Sequence, residues 1–260
     1  MLRKIIRNNF LSLAGIFKAP SAGIHIMNGH YVSRNNLGQE VFYDLLEQLN
    51  KRLKFIRIEE ATELVTQKKL TKEKLIAFTF DDGFSECYTK IAPVLEEFKT
   101  NAAFFINPGF VEGNQEYIKT FQEKKVFTIG KSPMSWKQIL ELHQRGHIIG
   151  SHTVDHIRLN TEDQAELTFQ ITKCKEIIQY KTGAPCEYFA YPYGQLSDIN
   201  EKALSIAAEN HKYIFSGANY KKYFSFHGKV LNRRHFEGDW PASHLNYFLS
   251  IQRSYDQGRN

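Results

Sequence analysis

The segment Phe78-Thr79-Phe80-Asp81-Asp82-Gly83 closes an apolar run that begins at Leu75, and it ends in two adjacent carboxylates and a glycine. Such a run reads as a buried strand, on which neighbouring side chains point to opposite faces. Both acids address one site only if the chain turns at once, and Gly83 permits that turn. The plainer reading is a strand terminus whose Asp81 and Asp82 cap a helix beginning near Ser85.

Outward from this segment, short apolar runs alternate with longer helical patterns, the signature of a parallel sheet with crossover helices. Strands are expected at Ile24 to Met27, Phe55 to Ile58, Leu75 to Phe80, Ala102 to Ile106, His147 to Ser151, Tyr188 to Tyr191, Tyr213 to Ser216 and Val230 to Phe236. Helices are expected at Val41 to Leu53, Tyr88 to Lys99, Ser135 to Arg145, Thr161 to Tyr180 and Asp198 to Asn210, and Asn107 to Pro133 reads as a long loop. This is an α/β pattern, a (β/α) TIM-like barrel of seven or eight parallel strands, with its function at the C-terminal strand ends. The expected organisation is an N-terminal basic amphipathic segment over 1–22 followed by one barrel domain over 23–260.

At 260 residues, 42% hydrophobic and 24% charged, with 16 Gly and 7 Pro, the chain has globular proportions, which exclude collagen, low-complexity disorder and a disulfide miniprotein. A net charge of +6 mildly favours anionic partners without demanding nucleic acid, and no nucleic-acid partner is expected. Cys87, Cys174 and Cys186 are too few for a disulfide framework, which favours a reduced, cytoplasmic setting. Ser85 lacks a nucleophile-elbow context, and there is no phosphate-cradling glycine loop or dinucleotide fingerprint.

A second constellation is Ser151-His152-Thr153-Val154-Asp155-His156. Histidines four apart reach one side of a helical turn or a tight loop, a spacing that suits metal ligands, though alone such a pair is more often surface decoration. Combined with an acidic strand end elsewhere in a barrel, a carboxylate and two imidazoles leave a divalent ion with open positions. A third constellation, Phe189-Ala190-Tyr191-Pro192-Tyr193-Gly194, is again a strand entering a turn.

In this order the three segments resemble the polysaccharide deacetylase family, whose members carry the NodB homology domain (carbohydrate esterase family four). Thr79-Phe80-Asp81-Asp82-Gly83 matches that family's first motif residue for residue, His152 to His156 matches its His-Ser/Thr-x-x-His motif, and Pro192-Tyr193-Gly194 matches the end of its third. The resemblance covers roughly residues 74 to 236. It implies a metal-dependent hydrolase that removes acetyl from an N-acetylated sugar, with Asp81 as general base and Asp82, His152 and His156 as metal ligands. Zn²⁺ is the first expectation, and Co²⁺, Mn²⁺ or Ni²⁺ also suit the ligand set. The backbone N–H of Tyr193 is assigned to the oxyanion, and Tyr191, Pro192 and His30 to the substrate. His25 is a second candidate beside the first strand.

The chain departs from the family pattern in three places. Ala190 stands where an Arg commonly tethers the catalytic Asp, Ser216-Gly217-Ala218-Asn219 replaces the usual Asp-Trp motif, and the late Leu-x-His motif is not clean. Asp239-Trp240 comes too late to be the missing element and reads as a chance match. In Val230 to Phe236, period two places Arg233 and His235 on one face and Arg234 on the other. Arg233 is therefore expected to restore the tether to Asp81 and His235 to act as the acid, the alternative being a basic strand end for an anionic substrate group.

Alternatives to the deacetylase are an inactive saccharide-binding barrel and a metal-dependent hydrolase of another amide or a phosphoester. At the N-terminus, Leu2, Ile5, Ile6, Phe10, Leu13 and Phe17 share one helical face bordered by Arg3, Lys4 and Arg7. That pattern suits an interfacial helix and suggests peripheral membrane contact through residues 1–19 at the inner membrane surface; a helix docked on the domain itself is the alternative.

Overall fold

The computed structural model describes residues 11–255. Among the described residues nine strands form: β1 (Gly23–Gly29), β2 (Lys54–Phe55), β3 (Lys74–Phe80), β4 (Ala102–Ile106), β5 (Ile148–Ser151), β6 (Tyr188–Ala190), β7 (Tyr213–Ala218), β8 (Phe224–Ser225) and β9 (Val230–His235). Seven of them run parallel in the order β1-β3-β4-β5-β6-β7-β9, and β1 pairs with β9 to close the barrel. The seam is narrow, with only Met27↔Arg234 and Asn28↔His235 in register.

Period two along β3 explains its place in the wall. Ile76, Phe78 and Phe80 pack outward against helical residues such as Leu45, Leu46 and Leu95. Leu75 and Ala77 join Ile24, Ile26, Ala103, Phe105, Phe215 and Leu231, a cluster drawn from strands all round the barrel. Both faces are apolar, as parallel strands buried on two sides require. Thr79 and Asp81 continue the inward series, so the first polar side chains of that face emerge at the C-terminal mouth.

Several expected elements are corrected. The segment Phe55 to Ile58 contributes only the two-residue β2, which pairs with the first half of β3 outside the closed path, and Ile58 opens a helix over Ile58–Thr66. That helix buries Ile58, Ala61 and Val65 on the inner cluster. The loop expected over Asn107 to Pro133 contains helical turns at Pro108–Glu112, Gln115–Thr120 and Phe121–Lys125. Their cores are Phe110 and Phe121, stacked at 4.1 Å. The β8–β9 hairpin and the helix Ala242–Leu249 also lie outside the expected pattern.

Of the N-terminal segment, residues 1–10 lie outside the described residues. A helix over 11–16 follows, buried through Leu11 and tied by Ser12 Oγ to His244 Nε2 at 2.9 Å. Leu13, Ile16 and Phe17 remain exposed.

Candidate active site

The C-terminal ends of β1, β3, β5, β6, β7 and β9 surround a cavity of about 340 Å³, lined at its floor by Asp81, Asp82, His152, His156 and Arg233. The turn that aims two adjacent acids into it is made by Asp82 itself (φ 71°) together with Gly83 (φ 68°). The left-handed region costs a non-glycine residue energy, and such residues concentrate at functional sites. Thr153 (φ 63°), His156 (φ 50°) and Tyr193 (φ 62°) repeat the pattern around the same cavity. Among the described residues no helix is capped by Asp81 or Asp82, and the helical turn that follows has Glu86 at its N-cap.

Asp81 is held by Arg233. The guanidinium donates from Nη1 to Oδ1 at 2.7 Å and from Nη2 to Oδ2 at 2.9 Å, a two-pronged charge-assisted pair. Arg233 itself is fixed by Nε donating to Ser216 O at 2.6 Å and Nη1 donating to Thr79 Oγ1 at 3.1 Å. Burial pushes the Asp81 carboxyl up, but Arg233 and then His152 outweigh it and hold the group below the usual carboxylate range. Arg234 points away and is buried behind the wall, donating to Phe248 O and Ile251 O.

Asp82, His152 and His156 come together, all buried, with one donor atom from each within 4.8 Å of the others. His152 Nε2 lies 3.5 Å and His156 Nε2 3.2 Å from Asp82 Oδ1. His152 Nδ1 is 2.6 Å from the carbonyl of Ala190; a carbonyl only accepts, so Nδ1 carries the proton and Nε2 turns a lone pair toward Asp82. Asp82 Oδ1 and His156 Nδ1 are buried without a hydrogen-bond partner among the described residues. A carboxylate oxygen facing an imidazole lone pair needs a cation or a proton between them, so this donor set fits a divalent ion. Burial raises the Asp82 carboxyl, and the neighbouring imidazoles of His152 and His156 more than reverse this.

The loop carrying these histidines is pinned from behind. Asn107, just after β4, donates to the carbonyls of His152 and Thr153. Asp155 is held by Tyr117 Oη at 2.5 Å and Gln170 Nε2 at 2.8 Å, which leaves the two imidazoles as the groups aimed inward.

Across the floor, Tyr193 sits with its ring 4.8 Å from that of His156 and under the Arg158 guanidinium at 4.0 Å. Gly194 presses on Gly217: a Cβ on Gly194 would lie 2.2 Å from Gly217 N, so any larger residue would force the loop after β6 away from the end of β7. Tyr191 and Pro192, expected at the substrate, lie outside the cavity lining. The lining runs from His156 to Tyr193 and Gly194, while both residues are buried behind it and Tyr191 packs with Leu159, Phe189 and Ile199. His25 lies away from the mouth, with Nε2 3.0 Å from Ser21 O, and burial first, then Arg234, lowers its pKa to about 3.

His30 and His235 do line the cavity, their rings 5.9 Å apart across the seam. His235 Nε2 is 3.1 Å from Glu237 Oε1 and its ring meets Trp240 edge-on at 5.5 Å. Burial raises the Glu237 carboxyl and His235 more than offsets this, leaving it below its ordinary value. Neither Glu237 nor Trp240 was singled out from the sequence as a site residue; the Asp239-Trp240 pair, dismissed there as chance, places its indole against His235.

Comparison with known proteins agrees with this geometry. The family model described as Polysaccharide deacetylase matches residues 68–213. The chain belongs to the polysaccharide deacetylase family. Among curated relatives of this family member, a peptidoglycan-N-acetylglucosamine deacetylase of Bacillus cereus (strain ATCC 14579) is 29% identical over 140 residues, 54% of this chain and 55% of that protein. The peptidoglycan-N-acetylmuramic acid deacetylase PdaA of Bacillus subtilis (strain 168) is 27% identical over 123 residues, 47% of this chain and 39% of that protein. The chain thus spans about half the length, or less, of the curated relatives it matches. Among solved structures, IcaB from Ammonifex degensii superposes with a TM-score of 0.69 at 22% identity, covering 89% of this chain and 99% of that one. The Streptococcus pyogenes deacetylase PplD in complex with acetate gives 0.66 at 21% identity, covering 89% and 98%. Both share the barrel fold with this polysaccharide deacetylase family member.

Proposed function

We propose that this chain is a metal-dependent N-deacetylase of an N-acetylated saccharide, hydrolysing the acetamide to acetate and a free amine. The observation that carries this reading is the buried Asp81–Arg233 pair beside the Asp82–His152–His156 donor set at one cavity floor. A divalent ion held by Asp82, His152 and His156 supplies polarisation of the acetyl carbonyl and acidification of water. Zn²⁺ is proposed because one carboxylate and two imidazoles leave open positions around it, as catalytic zinc sites do.

The chain's own residues do the rest. Asp81, kept ionised by Arg233, accepts the proton of the attacking water. The Tyr193 N–H donates to the acetyl oxygen as negative charge gathers there. His235 gives a proton to the departing nitrogen, and Glu237, 3.1 Å from its Nε2, keeps the imidazole oriented. His30 borders the same space and contributes to saccharide binding.

The test is acetate release from N-acetylhexosamine oligomers and lipid-linked N-acetyl sugars, comparing wild type with Asp81→Asn after chelation and refilling with Zn²⁺ or Co²⁺. Metal-dependent release lost in Asp81→Asn, with metal still bound, supports the reading. No release from any substrate at full metal loading overturns it.

A peripheral position at the inner membrane surface is proposed on a separate observation, the exposed Leu13, Ile16 and Phe17 beside Lys18. Deleting residues 1–19 is expected to abolish co-sedimentation with anionic vesicles; unchanged sedimentation overturns this.

A further inference from the structure

Two loops that the chemistry at the cavity floor leaves unused form one wall of its mouth, residues 30–38 after β1 and residues 125–133 before the helix Trp136–Gln144. Lys131 locks them together. Its ammonium is buried and donates to Ser33 O at 2.7 Å, Asn36 Oδ1 at 2.6 Å and Glu86 Oε1 at 2.7 Å, and lies 4.9 Å from the centre of the Tyr31 ring. Glu86 Oε2 accepts the Val32 N–H at 3.2 Å, and Arg34 Nη2 donates to Phe127 O at 3.4 Å. A buried ammonium with every proton directed holds its surroundings in one geometry, so this wall is rigid before any ligand arrives.

The wall presents an aromatic ring and two cations. Phe127 lines the cavity yet is 67% exposed, on a backbone with φ 51° that side chains rarely adopt. Lys125 has no carboxylate partner among the described residues. Arg34 is exposed and lies near enough to Glu237 to help lower its carboxyl, but Glu237 already pairs with His235. Of the lining cations, Arg233 is spent on Asp81, which leaves Arg34 and Lys125 to act outward.

We infer that this wall is a subsite for a saccharide bearing an anionic group, carboxylate or phosphate: the Phe127 ring lies against the apolar face of a sugar, and Arg34 and Lys125 take the anion. The inference rests on the saccharide reading of the cavity and narrows the substrate class from any N-acetylated saccharide to an acidic one.

The test is a calorimetric titration of the chelator-treated full chain with three probes. These are the neutral tetramer of N-acetylglucosamine, a tetrasaccharide alternating N-acetylglucosamine with N-acetylmuramic acid, and an N-acetylglucosamine trimer ending in a 1-phosphate. At low salt at least one acidic probe is expected to bind about fivefold to tenfold tighter than the neutral one, as two partly exposed charge pairs supply. The better of the two acidic probes identifies the anion. The ratio is expected to approach one at about 0.5 M NaCl, where screening is nearly complete, and in Arg34→Gln/Lys125→Gln. Phe127→Ala, an exposed position that does not threaten folding, is expected to weaken all three probes about threefold to tenfold. Equal affinity for all probes at low salt, no binding of any, a ratio that survives in the double variant, or a silent Phe127→Ala each overturns the subsite. Reloading with Zn²⁺ and assaying acetate separates the two readings: anion preference without acetate from any probe upholds the subsite and overturns the deacetylase.

Discussion

Replacing Arg233 by Gln removes both hydrogen bonds to Asp81 and leaves a carboxylate, 6% exposed, facing a neutral amide. Breaking one side of a buried ion pair costs about 3–5 kcal/mol, because the remaining charge keeps its desolvation penalty and loses its compensation. The loss depends on pH with a definite sign. In the wild type the Asp81 pKa is depressed, so its contribution is present above the unfolded carboxylate pKa and is lost as pH falls through the lower folded value. In Arg233→Gln burial acts with less opposition and the Asp81 pKa rises. The gap between the two proteins is therefore full at neutral pH and narrows as acid protonates Asp81 in the variant. Urea denaturation of the chelated chains at a series of pH values reads it directly, and Asp81→Asn added to Arg233→Gln is expected to recover at least about 2 kcal/mol at neutral pH. A cost below about 1 kcal/mol, or one that does not change with pH, refutes the account of Asp81 as an ionised group maintained by Arg233.

Other predictions concern the same machinery. Zn²⁺ in thousandfold excess over its dissociation constant is expected to stabilise the chelated chain by about 4 kcal/mol, and Asp82→Asn to abolish most of that gain, as read by thermal unfolding. His235→Ala is expected to reduce acetate release by about 10²–10⁴ with metal content unchanged by mass spectrometry; near-wild-type activity removes it as the acid. Glu237→Gln should act in the same direction but less in the same acetate assay, because the carboxylate that orients the His235 ring is replaced by a neutral amide. Lys131→Met leaves Glu86 without one of its cations and is expected to cost about 3–5 kcal/mol in chemical denaturation. A loss under about 1 kcal/mol there refutes the picture of a locked wall.

The barrel and its Asp82–His152–His156 cluster are legible in the sequence because their signals are local. A period-two run ending at Asp81-Asp82-Gly83 and two histidines four apart each place their groups through short backbone segments. What the sequence hides is held by distant contacts. Tyr191 looks like a site residue beside Pro192, yet its side chain faces the buried cluster of Leu159 and Ile199. Glu237 and Trp240 both contact His235, a coupling that a reading strand by strand does not reveal. The helical turns of Asn107 to Pro133 are short, the first of them bounded by Pro108 at its start and Gly113 at its end, so they lack the sustained apolar period of longer helices. Lys131 reads as one more surface charge until the loops around Ser33 and Glu86 are seen to close over it.

The two-pair seam between β1 and β9 has a consequence for how the centre comes into being. Asp82, His152 and His156 have all been synthesised by five residues past the end of β5, and that stretch lies inside the 68–213 family match. The counter-ion of Asp81 and the imidazole facing His30 arrive only with the last strand, more than seventy residues later on the ribosome. The residues that could hold an ion are therefore made well before the partner of Asp81, and the narrow β1–β9 seam is where the late strand meets the first.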